Sequence, residues 1–297
     1  MTDDRGLLAV IENYLDAVPR PDARVEVHGS LTLFVAHGAP HPWYARPTRG
    51  FADVPLGDVL AVRARQQELG VPETFEWVAE LVPSLADAAR EAGLAVGHHP
   101  MLVLERAREH SWPTPSAAID VRTLDPESSD WAVVRPLLDR AFATPGTAAD
   151  PATAADPATA ADPATAADPA TAADPATDGS GAALLPSTVT SPDPPSVSRA
   201  VREGRTVTAL AYLDGVPIAA GSHKPVGQIS EIVGVGTLPA YRRRGVSSAL
   251  TAHLAADALA RGVRTVFLSA DDEDVARIYE HLGFRRIGSA GAAEPPR

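Results

Sequence analysis

Residues 229–250, ISEIVGVGTLPAYRRRGVSSAL, decide how this chain is expected to fold. The first ten are rich in valine and isoleucine and predict a strand, whereas the residues after Gly245 predict a helix. The turn between them exposes the first N–H groups of the helix, which lack partners within it and carry partial positive charge. Gly245 allows the backbone to approach a ligand closely, so the turn predicts a phosphate site.

Two other phosphate-binding patterns are excluded. The chain contains no GxxxxGK[ST] segment, and GVGTLP at 234–239 lacks the third glycine of a dinucleotide fingerprint and does not itself open a helix. A diphosphate held by backbone N–H groups, with arginines around it, remains.

Composition and charge limit the classes of function. A length of 297 residues exceeds one average domain, so we expect two units or one unit with a large insertion. The net charge of -12 argues against a nucleic-acid surface. The absence of cysteine excludes disulfides, thiolate zinc sites and cysteine nucleophiles. An acidic amino terminus and the lack of a long apolar run predict a cytoplasmic protein without a membrane segment.

A proline-rich tract interrupts the second half of the chain. PATAAD recurs there with a proline at every sixth residue, which forbids a regular helix, and the repeats contain aspartates but no base. We expect residues 145–195 to form a disordered or polyproline-like insertion. A tolerated repeat expansion is favoured over a binding role, because long loops add little closure entropy.

Helix and strand signals alternate before residue 112. The expected elements are a helix in LLAVIENYL, a strand pair in RVEVHGSLTLFVAHG, a helix in DVLAVRARQQELG ended by Gly70, a strand in TFEWV, a helix in SLADAAREAG capped by Ser84, and a strand in PMLVLERA. The histidine pairs His37/His41 and His98/His99 lack a carboxylate at helical spacing. We therefore expect surface or packing histidines and not metal ligands.

The carboxyl-terminal part predicts one α/β sandwich. Its expected elements are a strand in AAIDVRTL, a helix in SSDWAVVRPLLDRAFA bent or restarted at Pro136, a hairpin turning at Asp214-Gly215, the strand and helix of the opening segment, a strand in RTVFLSA, a helix in DDEDVARIYEHLG and a strand in FRRIGSA. The proline-rich tract lies between two helices of this sandwich, so it interrupts the domain and does not bound it.

The RRRGVS turn resembles the acetyl-CoA motif of the GNAT N-acetyltransferase superfamily, [RQ]-x-x-G-x-[GA]. Ser247 stands where the family usually has glycine or alanine, and serine is small enough to fit. DDEDVARIYEHLGF resembles the second family signature, with Asp272 at the usual asparagine position. The resemblance covers residues 117–290 apart from the tract, with both motifs in the family's order.

That resemblance implies acetyl-CoA as co-substrate and no metal. It implies that backbone groups at the end of the strand pair with pantetheine and orient the thioester carbonyl, while amides from Arg243 to Ser248 hold the diphosphate. The expected cofactor-binding residues are Val235, Gly236, Thr237, Arg242, Arg243, Arg244, Gly245, Val246, Ser247, Ser248 and Asp272.

The same resemblance places Tyr279 at the position of the general acid, the group that protonates the leaving thiolate. The alternative is an aromatic residue on the inner face of its helix. Glu231 is the best candidate for the base because it is the only acid in QISEIVGVGTL. A surface glutamate at an edge, with a water chain removing the proton, remains the alternative. His223 and His281 are weaker candidates for the base.

The expected fold class is an α/β (α+β) sandwich, a GNAT-like mixed sheet flanked by helices and preceded by a smaller α/β unit. We expect the smaller unit at residues 1–112 and the acetyltransferase domain at 113–292. The smaller unit repeats the helix and strand order of half a GNAT fold, without the R-x-x-G turn. It is either a degenerate half that walls the acceptor site or an unrelated cap.

The expected function is transfer of the acetyl group of acetyl-CoA to a primary amine, on a small molecule, a lysine or an amino terminus. The acidic surface favours a cationic acceptor. The alternatives are a non-catalytic module that binds acetyl-CoA or a partner, and a scaffold tethered through the tract. We expect a monomer or homodimer with no nucleic-acid or membrane partner.

Overall fold

The computed structural model describes residues 4–37, 44–105, 112, 118–143 and 199–296. The predicted insertion at 145–195 and His41 lie outside these residues. The amino-terminal part contains α1 (Asp4–Ala17), β1 (Ala23–His28), β2 (Leu31–Ala36), β3 (Ala45–Pro47), α2 (Leu56–Leu69), β4 (Phe75–Val78), α3 (Ser84–Glu91) and β5 (Ala95–Glu105).

The carboxyl-terminal part begins with β6 (Ile119–Thr123) and α4 (Trp131–Phe142). It continues with β7 (Val207–Leu213), β8 (Val216–Val226), β9 (Ile229–Thr237), α5 (Val246–Ala260), β10 (Thr265–Ser269), α6 (Glu273–His281) and β11 (Arg285–Glu294). A 3-10 turn at Pro239–Tyr241 joins β9 to the arginine stretch. Within the described ranges, no helix is both long and apolar enough to cross a membrane.

All the described strands join one 11-stranded sheet in the order β1-β2-β3-β4-β11-β5-β10-β9-β8-β7-β6. The pairs β3–β4 and β9–β10 are parallel, and the other neighbours are antiparallel. Helices cover both faces of the sheet. The predicted fold class, a mixed sheet flanked by helices, is confirmed.

The last strands of the two parts are exchanged. β5 lies between β11 and β10, and β11 lies between β4 and β5, so both neighbours of each strand come from the other part of the chain. Each part contains a strand-helix-strand-helix-strand series, β3-α2-β4-α3-β5 in the first and β9-α5-β10-α6-β11 in the second. Corresponding strands of the two series lie at equivalent positions on either side of the boundary between β11 and β5. The units expected at 1–112 and 113–292 therefore share one sheet. Residue alternation predicts which face of a strand is buried, but it does not predict which strand lies beside it.

Strand alternation assigns the helices to the two faces of the sheet. On β5, Met101 and Val103 pack with α1, whereas Leu102 and Leu104 pack with α5 and α6. α2 and α3 share the α5 face, because they pack on Trp77 and Ala293. Helix α4 covers β7 and β8 on the same face as α1. We call the side covered by α1 and α4 the α1 face.

Local signals were mostly correct. Asp214 and Gly215 both have positive φ, at 49° and 79°, as the predicted hairpin turn requires, and Gly70 ends α2 in the left-handed conformation with φ 64°. The predicted cap at Ser84 is wrong, because Ser84 lies inside α3 and its hydroxyl accepts a hydrogen bond from the Val54 N–H at 3.0 Å. Of the two predicted outcomes at Pro136, a restart of the helix is wrong, because α4 is continuous through this residue, whereas a bend stays a prediction.

A glycine lies at the seam between the exchanged strands. A Cβ added to Gly291 would lie 2.3 Å from the Trp77 ring, so Gly291→Ala must displace a buried indole. We expect a loss of about 1–3 kcal/mol in the free energy of unfolding, measured by urea denaturation. Gly57→Ala is the matched control, since its Cβ meets nothing within 4 Å and α2 gains helix propensity. Equal stability of the two variants would contradict a packed seam.

Candidate functional site

A notch opens between β9 and β10. These parallel strands pair only from Ile229 to Glu231 against Thr265 to Phe267. β9 then continues to Thr237 along β8, while β10 stays paired with β5. The carboxyl ends of the two strands therefore diverge, which is where open α/β sheets bind ligands.

A β-bulge lies at the notch. Ala220 is opposite Gly236 and Ser222 is opposite Val233, so two residues of β9, Gly234 and Val235, face one residue of β8. Gly234 has φ 62°, and a bulge of this kind turns local backbone groups out of the ladder. The bulge includes Val235, the first residue of the predicted pantetheine-binding backbone at Val235, Gly236 and Thr237.

Helix α4 packs directly against this part of β9. A Cβ on Gly236 would lie 3.0 Å from both Ala141 and Leu138. The Thr237 hydroxyl is buried and makes no hydrogen bond within the described part of the chain. Gly236 is thus required for packing, and Thr237 has an unused hydrogen-bonding group at the end of the strand.

The turn from β9 into α5 has two residues in the left-handed region. Arg243 has φ 60° and Gly245 has φ 75°, and α5 begins at Val246 without a side-chain cap. A non-glycine residue in this region costs about 1–2 kcal/mol. Strain of this kind concentrates at ligand sites. Gly245 is exposed and its Cβ position has nothing within 4 Å, so the space in front of the helix terminus is open.

The three arginines point in different directions. Arg242 donates from Nη2 to the Ala141 carbonyl at 2.6 Å and from Nε to the Thr237 carbonyl at 3.3 Å, so it ties α4 to the end of β9. Burial lowers the pKa of Arg242. Arg243 and Arg244 are exposed, and the Arg244 guanidinium lies 5.7 Å from the centre of the Tyr241 ring. Two of the three side chains are therefore accessible to an anion.

Val246 is buried, and Ser247 and Ser248 are half-buried at the start of α5.

Asp272 caps helix α6. Its Oδ1 accepts a hydrogen bond from the Val275 N–H at 2.8 Å. This capping role accounts for an acidic residue at the position, since carboxylates stabilise the positive end of a helix. Its contact with pantetheine stays a prediction.

Tyr279 is buried on the inner face of α6. Its ring centre lies 6.1 Å from that of Phe284, and its hydroxyl makes no hydrogen bond within the described ranges. Burial, and next the Asp271 carboxylate, raise the pKa of Tyr279 above its usual value. The phenol therefore keeps its proton at neutral pH. Tyr279 belongs to the cluster packed on α5 and α6, which is not the face that holds Glu231.

A pocket lies on the α1 face where β4, β11, β5, β10 and β9 run side by side. Both parts of the chain contribute to it. Its polar lining consists of Glu76, His99, Glu231 and Ser269, and its apolar lining includes Leu15, Met101 and Phe267.

Glu231 lies in this pocket with a strongly perturbed pKa. Burial raises the pKa of Glu231 to about 7, and the Glu76 carboxylate adds to the increase, while Lys224 and Arg46 oppose it. Lys224 faces Glu231 across the β8–β9 ladder, and burial lowers its own pKa. The alternative of a surface glutamate at an edge is wrong, since β9 is an interior strand.

Tyr14 connects the amino-terminal helix to the Glu231 strand, a contact that the sequence did not reveal. Its hydroxyl donates to the Lys224 carbonyl at 2.6 Å and accepts from the Glu231 N–H at 3.3 Å. Its ring meets Phe267 edge-on at 5.0 Å. Tyr14 lies in the apolar stripe LLAVIENYL, which predicted burial but not a partner in another part of the chain.

Two further residues of the first part were missed. Arg46 is completely buried and pairs with Glu12 at 2.8 Å. His99 is buried in β5, and its Nδ1 lies 3.1 Å from the Asp271 carbonyl oxygen, so this histidine contacts the segment between β10 and α6. The strand exchange brings His99 there, and no local pattern announces it.

The two weaker candidate bases lie elsewhere. His223 is completely buried on the α5 face, between the Ser230 hydroxyl and the Asp257 carboxylate, each at 2.9 Å. Burial lowers the pKa of His223, so it is neutral and structural there. His281 is exposed on α6, with Nδ1 2.6 Å from the Arg277 carbonyl oxygen.

Comparison with known proteins gives a family match for part of the chain and structural matches for nearly all of it. Residues 184–284 match the acetyltransferase (GNAT) family. A GCN5-related N-acetyltransferase from Kribbella flavida superposes with a TM-score of 0.66 at 19% identity, over 98% of this chain and 96% of that chain. One from Sphaerobacter thermophilus gives 0.55 at 17% identity, over 94% and 84%.

A GCN5-related N-acetyltransferase-like protein from Streptococcus suis gives a TM-score of 0.50 at 12% identity, over 98% of this chain and 97% of that chain. No curated protein matches the chain significantly by sequence. These structural matches cover both parts of the chain, so the whole two-part fold recurs. Residues 184–284 thus match the acetyltransferase (GNAT) family, and the fold of the whole chain is similar to that of the solved structures.

Proposed function

We propose that this protein transfers the acetyl group of acetyl-CoA to a primary amine. The observation that carries the proposal is the placement of Glu231. It is a half-buried carboxyl group with a pKa near neutrality, in a pocket at the start of the notch between β9 and β10. Such a group accepts a proton at physiological pH more readily than a solvated glutamate does.

The backbone around the notch fits acetyl-CoA. The open space at Gly245, the uncapped start of α5 and the exposed Arg243 and Arg244 suit a diphosphate. The bulge at Gly234 and Val235 suits the amide-bearing pantetheine arm, because it leaves backbone groups outside the ladder. The bound thioester supplies the activated acetyl group.

In the proposed reaction, Glu231 accepts a proton and Tyr279 donates one. An acceptor that enters as an ammonium ion gives one proton to Glu231 and becomes nucleophilic. As the N–C bond forms and the C–S bond breaks, the departing sulfur gains a proton, for which Tyr279 is the proposed donor. The nitrogen loses a second proton, which restores the Tyr279 phenol, and Glu231 passes the first proton to solvent. Overall, an ammonium ion and a thioester give an amide, a thiol and one released proton.

Thioester turnover tests the proposed function directly. We expect release of free thiol from acetyl-CoA to accelerate with at least one member of a panel of primary amines, and Tyr279→Phe to lower kcat by about a hundredfold. Binding of acetyl-CoA without acceleration by any amine would favour the non-catalytic module. Failure to bind acetyl-CoA would refute the proposal.

The pH profile tests Glu231. A base acts only when it is ionised, and the raised pKa of Glu231 leaves it protonated below about pH 7. We therefore expect kcat/KM to rise with pH through about 7, and Glu231→Gln to lower it by about a hundredfold or more and remove this limb. A variant that retains the limb would assign the proton transfer to another group. Affinity for acetyl-CoA is the control and should stay constant.

A pair of glycines tests the diphosphate site. Gly245→Ala and Gly262→Ala both place a side chain at positive φ, at 75° and 95°, with nothing within 4 Å, but at opposite ends of α5. We expect similar losses of stability, and a rise of about tenfold in the Kd for acetyl-CoA only for Gly245→Ala, measured by calorimetry. Equal effects on Kd would place the diphosphate elsewhere.

Substitutions of the three arginines are expected to have different effects on acetyl-CoA binding and on stability. Arg243→Ala and Arg244→Ala should weaken acetyl-CoA binding and reduce its dependence on salt, because both side chains are exposed. Arg242→Ala should instead lower the Tm, since it breaks two contacts with backbone carbonyls. A salt dependence that is unchanged in the first two variants would argue against their contact with phosphate.

A further inference from the structure

His99 has a hydrogen-bonding atom that no described residue uses. The residue is only 6% exposed, and its Nδ1 lies 3.1 Å from the Asp271 carbonyl oxygen. Since a carbonyl oxygen only accepts, the proton of the neutral ring must be on Nδ1, and Nε2 then carries a lone pair. This Nε2 is buried and has no partner in the described part of the chain. Buried polar atoms are nearly always paired, so such an acceptor indicates a place for a donor from a ligand.

His99 and Glu231 line the same pocket on the α1 face. Glu231 lies opposite Phe267 on β10. Ser269, two residues further along β10, lies opposite Met101, and His99 is two residues further in the same direction on β5. Residues two apart on a strand share a face, and four residues along a strand span about 13 Å. His99 therefore lies beyond Glu231 toward the carboxyl end of β10, which is the end where the notch opens.

On the side of β11 and β4, the neighbours of His99 are apolar. Ala290 of β11 lies opposite His99, and Val78 of β4 follows in the same row. An ammonium ion carries three protons and is costly to bury without several acceptors, whereas a hydroxyl group has one proton, which a single lone pair satisfies. Nε2 therefore suits an uncharged donor.

The pocket offers apolar surface between Glu231 and His99. Phe267 and Met101 lie at the levels between the two residues, and Leu15 of α1 lines the same pocket. Such surface suits methylene groups, while the few polar groups of a pocket fix the orientation of a ligand. The arrangement therefore fits an amine whose alkyl chain carries a donor at its other end.

We propose that the acceptor is an amino alcohol or a similar amine with a second, uncharged hydrogen-bond donor, which His99 Nε2 accepts while the amine lies at Glu231. This inference rests on the proposed acetyl transfer and names its substrate class. His99 is then a specificity-determining residue, supplied by the exchanged strand β5 of the amino-terminal part.

Matched amines test the proposal. 3-Amino-1-propanol and 1-aminobutane have nearly the same shape and differ in a terminal hydroxyl or methyl group, and homologous pairs with two to six methylenes cover the length. We expect the wild-type kcat/KM to favour the amino alcohol of at least one pair by about tenfold or more, because the methyl analogue leaves Nε2 buried without a partner. The diamine of the same length should be used less well than that amino alcohol, since its second ammonium group is charged.

Two substitutions separate the nitrogens of His99. The amide nitrogen of His99→Asn can replace Nδ1 as the donor to the Asp271 carbonyl, but the shorter side chain has no atom at the place of Nε2. The longer side chain of His99→Gln can bring an acceptor oxygen there. We expect His99→Asn to lose the preference for the amino alcohol, through a rise of about tenfold in its KM, and His99→Gln to retain part of the preference.

His98→Asn is the control variant. His98 is the adjacent residue of β5, is exposed, and has its ring 6.4 Å from that of Trp77, which packs on the other face of the sheet. This variant should retain the full preference for the amino alcohol. Equal use of both amines by the wild type, a preference for the diamine, or a His99→Asn variant that slows both amines alike would overturn the proposal. The Tm of each variant identifies an effect of misfolding.

Nitrogen NMR of the wild-type protein separates this inference from the proposed function. If no amine is acetylated, acetyl transfer fails as the function, and titration with the same amino alcohols and alkyl amines, with and without CoA, decides about His99. We expect the free ring to carry its proton on Nδ1, and the Nε2 resonance, assigned by its loss in His99→Asn, to shift with an amino alcohol and not with the matched alkyl amine. A ring with its proton on Nε2, or an Nε2 resonance that none of the amino alcohols shifts, overturns the inference.

Discussion

The exchange of β5 and β11 is the constraint on which the rest of the structure depends. Every ladder hydrogen bond of these two strands goes to strands of the other part of the chain. Buried backbone groups must be paired, so neither part can satisfy its own last strand alone. The pocket with Glu231 spans both exchanged strands and their neighbours, and its geometry therefore exists only when the two parts are joined.

The same exchange gives Glu231 an electrostatic environment drawn from both parts. Lys224 faces it from the adjacent strand, while Arg46 and Glu76 act on it from the amino-terminal part. Their effects oppose one another, and burial decides the direction of the pKa shift. The amino-terminal part lacks an RRRG turn, yet it supplies Tyr14, whose hydroxyl hydrogen-bonds to the Lys224 carbonyl and the Glu231 N–H.

Local signals in the sequence predicted the elements and the turn from β9 into α5 well. Gly245 and the Asp214-Gly215 hairpin follow from rules that act over a few residues. The roles of Glu76, His99 and Arg46 could not be predicted, because each depends on which strands become neighbours across long stretches of chain. Asp272 shows a different limit. The motif marked its position, but only the structure shows that its carboxylate caps α6.

The place of β11 after the other described strands in chain order has a consequence for biosynthesis. The facing edges of β4 and β5 remain without their shared neighbour, β11, until residues 285–294 have been made. The ribosome must therefore synthesise most of the second part, including the proline-rich tract, after β5 and before β11. At about 5–20 residues per second, the emerging chain carries two open strand edges for many seconds. Unpaired edges promote association between chains, so this arrangement exposes the nascent protein to association until β11 is in place.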